Sequence, residues 1–121
     1  MLTLPPSVRI FVALEPADMR KQFDGLYALA SEVTRVDPFS GHLFVFSNRR
    51  RDLVKVLAWD RSGFALWSKR LERGTFSWPK GGTGRSLEMT ARDLMGILEG
   101  LDLERARWKK RFERLPFRDA I

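Results

Sequence analysis

Residues 37–79 read DPFSGHLFVFSNRRRDLVKVLAWDRSGFALWSKRLERGTFSWP, and the predicted sheet is built mainly from this stretch. Three apolar runs rich in β-branched and aromatic residues alternate with polar turns, which is the pattern of consecutive antiparallel strands. The first run, Leu43–Phe46, is apolar at every position, so we expect it at the centre of a sheet. The second and third runs are Leu53–Trp59 and Phe64–Leu71, and the short run Thr75–Trp78 fits a last strand.

The turn that ends in Gly63 sets the pairing of the second and third runs. If Gly63 takes the left-handed position of a three-residue hairpin loop, Lys55 lies opposite Lys69. Trp59 and Trp67 then fall on the same side as the two lysines, because side chains alternate along a strand. This register predicts one side of the sheet that carries two tryptophans and two lysines.

Other elements are predicted on both sides of this stretch. Before it, Val8–Leu14 fits a first strand, and apolar residues recur at helical spacing from Met19 to Arg35. Asp18 is placed to cap the first turn of that helix. After it, Thr90 begins a second helix with the pattern of a capping box, and Gly100 marks its end.

Two segments are predicted to lie outside the regular elements. Residues 80–86 contain three glycines and form a flexible connector. The C-terminal residues mix basic side chains with Trp108, Phe112 and Leu115, whose spacing fits a basic amphipathic helix.

The length of the chain suits a single domain. A chain of 121 residues buries roughly two thirds of the surface that its unfolded form exposes. We predict an α+β domain over residues 1–102, with an antiparallel β-meander of four to five strands, one helix before it and one after. Residues 103–121 are predicted to be a basic C-terminal tail. One helix packed across the sheet would leave its other face free for binding.

The composition excludes several kinds of chemistry. The chain has no cysteine, so it has no disulfide and no thiolate metal site, and its one histidine, His42, cannot build a zinc site of several imidazoles. We predict no metal and no cofactor. The acidic residues fit turns and helix caps better than a cluster that converges on two metal ions, so an enzyme is not predicted. Because no secretory signal or membrane-spanning run is present, a cytoplasmic location is expected.

The positive charge is concentrated in one part of the chain. The net charge is +7, and residues 35–85 contain eleven Lys or Arg against four Asp or Glu. Residues 1–34 come to −1 and residues 86–121 to +1. A polyanionic partner should therefore meet the middle of the chain, and nucleic acid is the commonest such partner.

The candidate nucleic-acid-binding surface combines cations with aromatic side chains. Cations neutralise phosphates, and exposed rings stack on unpaired bases. The candidate residues are Arg20, Lys21, Arg49, Arg50, Arg51, Lys55, Trp59, Trp67, Lys69, Arg70 and Arg73, with Arg85 and Trp78 beside them. Alternatively, the tryptophans fill the core, and Arg20 and Lys21 are solvated. Three consecutive arginines at a hairpin tip cannot all be buried.

Four motifs carry a resemblance to a known family. They are DMRK at 18–21, FDG at 23–25, PFSG at 38–41 and KRLERG at 69–74. In their order and spacing the chain resembles the TnpB accessory proteins of bacterial insertion sequences of the IS-sixty-six type. The resemblance covers about Val8 to Pro79, with a weaker helix pattern up to Asp102. The chain departs from the family pattern at Gln22, where a glycine is common, and at the tip formed by residues 48–52.

The resemblance implies an accessory protein that is encoded beside a separate, larger transposase and is needed for efficient transposition. It brings no established catalytic residues. Two hypotheses follow. In the first, the protein binds DNA at the element ends through a basic sheet surface and assists the transposase. In the second, it docks on the transposase without binding DNA strongly. Binding to RNA is a third alternative, and the oligomeric state is left open.

Overall fold

The computed structural model describes residues 7–80 and 84–99, together with the backbone of residues 101–102 and 107–108. The elements in chain order are β1 (Ile10–Ala13), α1 (Phe23–Thr34), a 3-10 turn (Pro38–Ser40), β2 (Leu43–Ser47), β3 (Leu53–Trp59), β4 (Phe64–Arg70), β5 (Ser86–Met89), α2 (Ala91–Glu99), β6 (Leu101–Asp102) and β7 (Arg107–Trp108). The prediction of a single α+β domain is confirmed. The amphipathic helix predicted for the tail lies outside the described residues.

One five-stranded sheet organises the domain, in the order β4-β3-β2-β1-β5. The strands β2, β3 and β4 form the predicted antiparallel meander. However, β1 pairs parallel to β2, and β5 pairs antiparallel to β1. The sheet is therefore mixed: three strands form the antiparallel meander, where four to five were predicted, and the first strand joins it in parallel. The reason is the connection through α1, which carries the chain back to the end of the sheet where β1 began.

The fifth strand was not predicted from the sequence. Residues 75–78 are not a strand, although Phe76 is buried and its N–H donates to the carbonyl of Arg51 at 2.7 Å. The fifth strand is instead Ser86–Met89, which begins inside the predicted connector. Four residues are too few to show the alternation of a strand. The glycines just before them therefore led to the prediction of a connector.

The turn between β3 and β4 differs from the predicted one. It is a four-residue loop in which the N–H of Asp60 donates to the carbonyl of Gly63 at 3.0 Å, and Trp59 pairs with Phe64. The left-handed residue is Arg61, with φ of 84°, whereas Gly63 does not have a positive φ.

This change of one residue in the loop turns every side chain of β4 to the opposite face. Trp67 pairs with Val56, and Lys69 pairs with Val54. Trp67 therefore lies on the face opposite to Lys55, and the predicted side with two tryptophans and two lysines does not exist.

A helix covers each face of the sheet. On one face the core contains Leu94, Ile97 and Leu98 of α2 packed on Ile10, Val12, Leu43, Val45, Val54 and Val56. On the other face it contains Leu26 and Ala30 of α1 packed on Phe11, Ala13, Phe44, Phe46 and Leu57. The prediction of one free face is therefore wrong, because the central strands are apolar on both sides and need cover on both. Within residues 7–80 and 84–99, neither helix has the length and apolar character to cross a bilayer.

The two helices start differently from one another. The α1 helix begins at Phe23 rather than Met19, and its N-cap, Gln22, makes no side-chain cap bond. Asp18 instead accepts a hydrogen bond from the N–H of Arg20 at 2.9 Å, in a turn ahead of the helix. In contrast, the predicted cap of α2 is confirmed, because the hydroxyl of Thr90 accepts from the N–H of Asp93 at 3.1 Å.

The Thr90 cap gives a direct test of the α2 boundary. We expect Thr90→Ala to lower the free energy of unfolding by about 1 kcal/mol, since the helix loses the acceptor for one of its unpaired N–H groups. Chemical denaturation measures this change. Ser62→Ala, in an exposed turn, should change stability by no more than about 0.5 kcal/mol. Equal losses in the two variants would contradict the cap.

Candidate nucleic-acid interface at one end of the sheet

The strand directions bring three connecting loops together at one end of the sheet, those that follow β1, β2 and β4. At that end β1, β2 and β4 finish, while β3 and β5 begin. Backbone hydrogen bonds tie the loops to one another, from Ala17 to Ser47 at 2.8 Å, from Leu14 to Arg85 at 3.0 Å and from Leu71 to Asp52 at 2.8 Å. We call this region the arginine end and define it as residues 14–22, 48–52, 70–80 and 84–85.

The arginine end holds most of the excess charge. It contains nine cations against four acids, a balance of +5, and the cations are Arg20, Lys21, Arg49, Arg50, Arg51, Arg70, Arg73, Lys80 and Arg85. The loops at the opposite end, residues 7–9, 35–42, 60–63 and 90, contain three cations against two acids. Lys80 was not singled out in the sequence because it lies in the predicted connector, yet it is exposed at this end.

Four exposed arginines lie on two neighbouring loops of the arginine end, together with the carboxylates of Asp52 and Glu72. Arg49 and Arg50 come from the β2–β3 tip, and Arg70 and Arg73 come from the end of β4. The amide of Asn48 donates to Asp52 at 2.6 Å, and this hydrogen bond lowers the pKa of Asp52.

Nearby charges lower the pKa of Asp52 further, and they belong to Arg50 and Arg70. These two arginines are twenty positions apart in the chain, and the hydrogen bond from the N–H of Leu71 to the carbonyl of Asp52, at 2.8 Å, shows that their loops meet. With Glu72 counted beside Asp52, the four arginines and two carboxylates of these loops leave a balance of +2.

The cations before α1 lie beside this cluster. Arg20 forms an ion pair with Asp18 at 2.9 Å, and its side chain is 92% exposed. Hydrogen bonds from Arg20 lower the pKa of Asp18 to about 2. Exposed ion pairs of this kind are weak, so Arg20 is free to turn towards another anion. Lys21 is exposed beside it.

Arg85 is committed to two carboxylates of its own chain. Its guanidinium contacts Glu32 at 2.9 Å and Glu15 at 3.3 Å. The hydrogen bond with Glu32 is the main cause that raises the pKa of Arg85. We therefore leave Arg85 out of the candidate interface.

Arg51 turns inwards, unlike its two neighbours at the tip. Its backbone is left-handed, with φ of 59°, and Nη2 donates to the carbonyl of Leu14 at 2.8 Å. The guanidinium lies 4.9 Å from the centre of the Trp78 ring, and burial lowers the pKa of Arg51. Nη1 is buried and has no hydrogen-bond partner within the described part of the chain. Arg51 is thus a structural residue that joins the hairpin tip to the strand next to it.

Two substitutions at Arg51 distinguish the contribution of its side-chain contacts to stability from that of its left-handed backbone. We expect Arg51→Ala to lower the free energy of unfolding by about 1–3 kcal/mol, because Leu14 loses its donor. Arg51→Gly removes the same contacts but relieves the left-handed backbone, which costs an ordinary residue about 1 kcal/mol. The glycine variant should therefore be the more stable of the two in a denaturant titration. In strands and helices the alanine variant is usually the more stable one. A less stable glycine variant would contradict the left-handed conformation.

The two lysines predicted for the interface each donate hydrogen bonds to backbone carbonyls, one in the turn before α1 and the other at the end of α2. Lys55 is only 8% exposed, and its Nζ donates to the carbonyls of Met19 at 2.7 Å and Lys21 at 3.2 Å. On the opposite face, Nζ of Lys69 donates to the carbonyl of Leu98 at 2.8 Å. A cation at the last turn of α2 is favourable because carbonyl groups there lack helical partners. We leave both lysines out of the candidate interface.

The tryptophans are packing residues in this structure. Trp59 lies at the opposite end of the sheet, in edge contact with Phe39 at 4.8 Å and Phe64 at 5.0 Å between ring centroids. Trp67 packs against the core on the α2 face. Trp78 also packs there, and its Nε1 donates to the carbonyl of Ala13 at 2.9 Å. The packing alternative raised in the sequence is favoured for all three.

The part of the chain that the structure describes shows no metal centre, and its one histidine makes structural contacts. It contains no group of three or more His, Cys, Asp or Glu residues able to hold a metal ion. The single histidine, His42, accepts a hydrogen bond at Nδ1 from the N–H of Arg9 at 2.8 Å and contacts the edge of Phe11. Its role is structural, which agrees with its position at the start of β2.

Comparison with known proteins identifies the class of protein. Two relatives in Sinorhizobium fredii (strain NBRC 101917 / NGR234), the uncharacterized proteins y4hO and y4jC, are each 37% identical to this chain over 102 residues. The match covers 84% of this chain and 88% and 86% of theirs. No solved structure matches.

The family model of IS66 Orf2 like proteins matches residues 8–108. The match therefore defines an accessory protein of an insertion sequence, in a family whose members are generally non-catalytic. The chain belongs to the IS66 Orf2-like family, and the resemblance seen in the sequence is confirmed.

Proposed function

We propose that this accessory protein binds DNA through the arginine end and in this way assists the transposase of its element. The observation that carries the proposal is the group of four exposed arginines, Arg49, Arg50, Arg70 and Arg73, on two loops that the hydrogen bond from Leu71 to Asp52 brings together. Arginine is well suited to this role because its planar guanidinium forms two parallel hydrogen bonds with a phosphate and keeps its charge. Arg20, Lys21 and Lys80 extend the surface on either side.

The arrangement supports contact with the DNA backbone rather than with bases. Sequence readout in the major groove requires an exposed helix or a two-stranded ribbon that fits the groove. Here both helices lie flat on the sheet faces, and the arginines stand at the end of β4 and on the loops beside it. Contacts to phosphates position a protein on the duplex but carry no sequence information.

The test is a titration of DNA binding against salt. Fluorescence anisotropy is measured on a labelled duplex with the terminal repeat of the element, and on a scrambled duplex of equal length. Four phosphate contacts predict a slope of about −3.6 in log affinity against log salt concentration. We expect this slope on both duplexes, with similar affinities. No binding at low salt, or binding that does not depend on salt, would overturn the proposal.

A second candidate function is docking on the transposase. The same arginines would complement an acidic protein surface, and guanidinium–carboxylate pairs are as well formed as guanidinium–phosphate pairs. Capture of the purified transposase, in the presence and absence of duplex DNA, distinguishes the two functions. Capture without DNA, together with no DNA binding by the protein itself, would favour docking.

A further inference from the structure

The β4 strand is a long edge strand, with no neighbour on its outer side among residues 7–80 and 84–99. It is seven residues long and occupies the end of the strand order. Edge strands in natural proteins are usually guarded by proline, a bulge, charged side chains or short length, because their unpaired backbone groups attract other strands. The sequence FALWSKR contains no proline and has its charges, Lys69 and Arg70, only at its last two positions. In addition, β4 pairs with β3 without interruption from Phe64 to Arg70.

The hydrogen-bond pattern shows which groups of β4 point outwards. The N–H of Asp60 bonds Gly63, and the N–H of Leu71 bonds Asp52, at the two ends of the β3–β4 ladder. Because bonded and non-bonded pairs alternate in an antiparallel ladder, the bonded pairs between these ends involve residues 65, 67 and 69. The outward N–H and C=O groups therefore belong to Phe64, Leu66, Ser68 and Arg70.

This edge complements a second copy of itself. In an antiparallel pair centred on Trp67, Leu66 of one strand lies opposite Ser68 of the other, and Phe64 lies opposite Arg70. Every outward group then meets an outward group of the partner strand.

The charges favour the same arrangement. In the antiparallel pair, Lys69 lies opposite Ala65, and Arg70 lies opposite Phe64, so no like charges face one another. A parallel pair in register would place Lys69 beside Lys69 and Arg70 beside Arg70. Like charges directly opposite one another destabilise a strand pair.

We infer that the protein forms a dimer in which the β4 strands of two copies pair antiparallel. Two five-stranded sheets become one continuous sheet with a twofold axis at Trp67. The two arginine ends then point in opposite directions. This inference does not depend on the proposed DNA binding, because it rests on the edge strand alone.

Sedimentation equilibrium of the full chain over a wide range of concentration tests the dimer. We expect a reversible monomer–dimer equilibrium. Ser68→Pro should abolish it, because the outward N–H of Ser68 is lost while the bonds of β4 to β3 are kept. Ser68→Ala keeps this N–H and should keep the dimer. Circular dichroism of both variants checks that the fold is retained.

A charge test at Ala65 keeps the inference falsifiable if the proline variant does not fold. Ala65 is exposed in the monomer and lies opposite the Lys69 of the second copy only in the antiparallel pair. Ala65→Glu should therefore strengthen the dimer, and Ala65→Lys should weaken it. A wild-type chain that is monomeric at all concentrations would overturn the inference. A dimer whose stability changes with neither Ala65→Glu nor Ala65→Lys would also overturn the inference, because it would be held by a different surface.

Discussion

Replacing Lys55 by methionine is expected to lower the free energy of unfolding by about 2–4 kcal/mol, because the carbonyls of Met19 and Lys21 lose their donor inside the protein. Methionine retains much of the length of the side chain, so the loss reports the amine rather than a cavity. Denaturant titration measures the change. The turn before α1 depends on this amine, since Gln22 makes no cap bond there.

The matched control is Lys80→Met, which removes an amine from an exposed position. Its stability should change by no more than about 0.5 kcal/mol. In the DNA titration, the salt slope of Lys55→Met should equal that of the wild-type protein, because its amine is bonded inside the fold. A stable Lys55→Met variant with a reduced salt slope would show that Lys55 contacts phosphate instead.

Reversing the charge of Arg49, Arg50, Arg70 and Arg73 together to glutamate should weaken DNA binding by roughly 10²–10³-fold at low salt, and the salt slope should fall by about 3.6. The physical reason is the loss of four counterion-releasing contacts and the repulsion that four new carboxylates add. Anisotropy on the labelled duplex measures both quantities. The fold should be retained, because these side chains are exposed.

A pair of matched double variants separates local contact from overall charge. Arg49→Glu with Arg73→Glu changes the net charge by the same amount as Arg61→Glu with Arg92→Glu, whose residues lie away from the arginine end. The first pair should lower the salt slope by about 1.8. The second pair should leave the slope almost unchanged. Equal effects would mean that DNA responds to total charge and that the arginine end is not the interface.

The sequence predicted the elements better than the way they pair. The three runs of the meander and the Thr90 cap were identifiable because their signals are local. The register of β4 was not, because it depends on whether the loop has three or four residues. A left-handed arginine, Arg61, replaces the expected left-handed glycine there, and glycine preference gave the wrong loop length.

Only part of the candidate site could be predicted, because exposure at a hairpin tip has a local signal, whereas contacts between distant residues have none. Arg49 and Arg50 are exposed, as three successive arginines at a tip require. The roles of Lys55 and Lys69 depend on carbonyls 36 and 29 positions away in the chain, which no local pattern reports. The meeting of the tip with Arg70 and Arg73 depends on the three-stranded meander and on the bond from Leu71 to Asp52.

The internal bonding of Lys55 and Lys69 also determines how the charge of this surface responds to covalent modification. Acetylation by host enzymes removes the charge of a lysine amine but does not act on a guanidinium. At the arginine end only Lys21 and Lys80 offer exposed amines, while the central cluster is entirely arginine. The element's protein would therefore keep most of its positive surface charge in a heavily acetylated host cell.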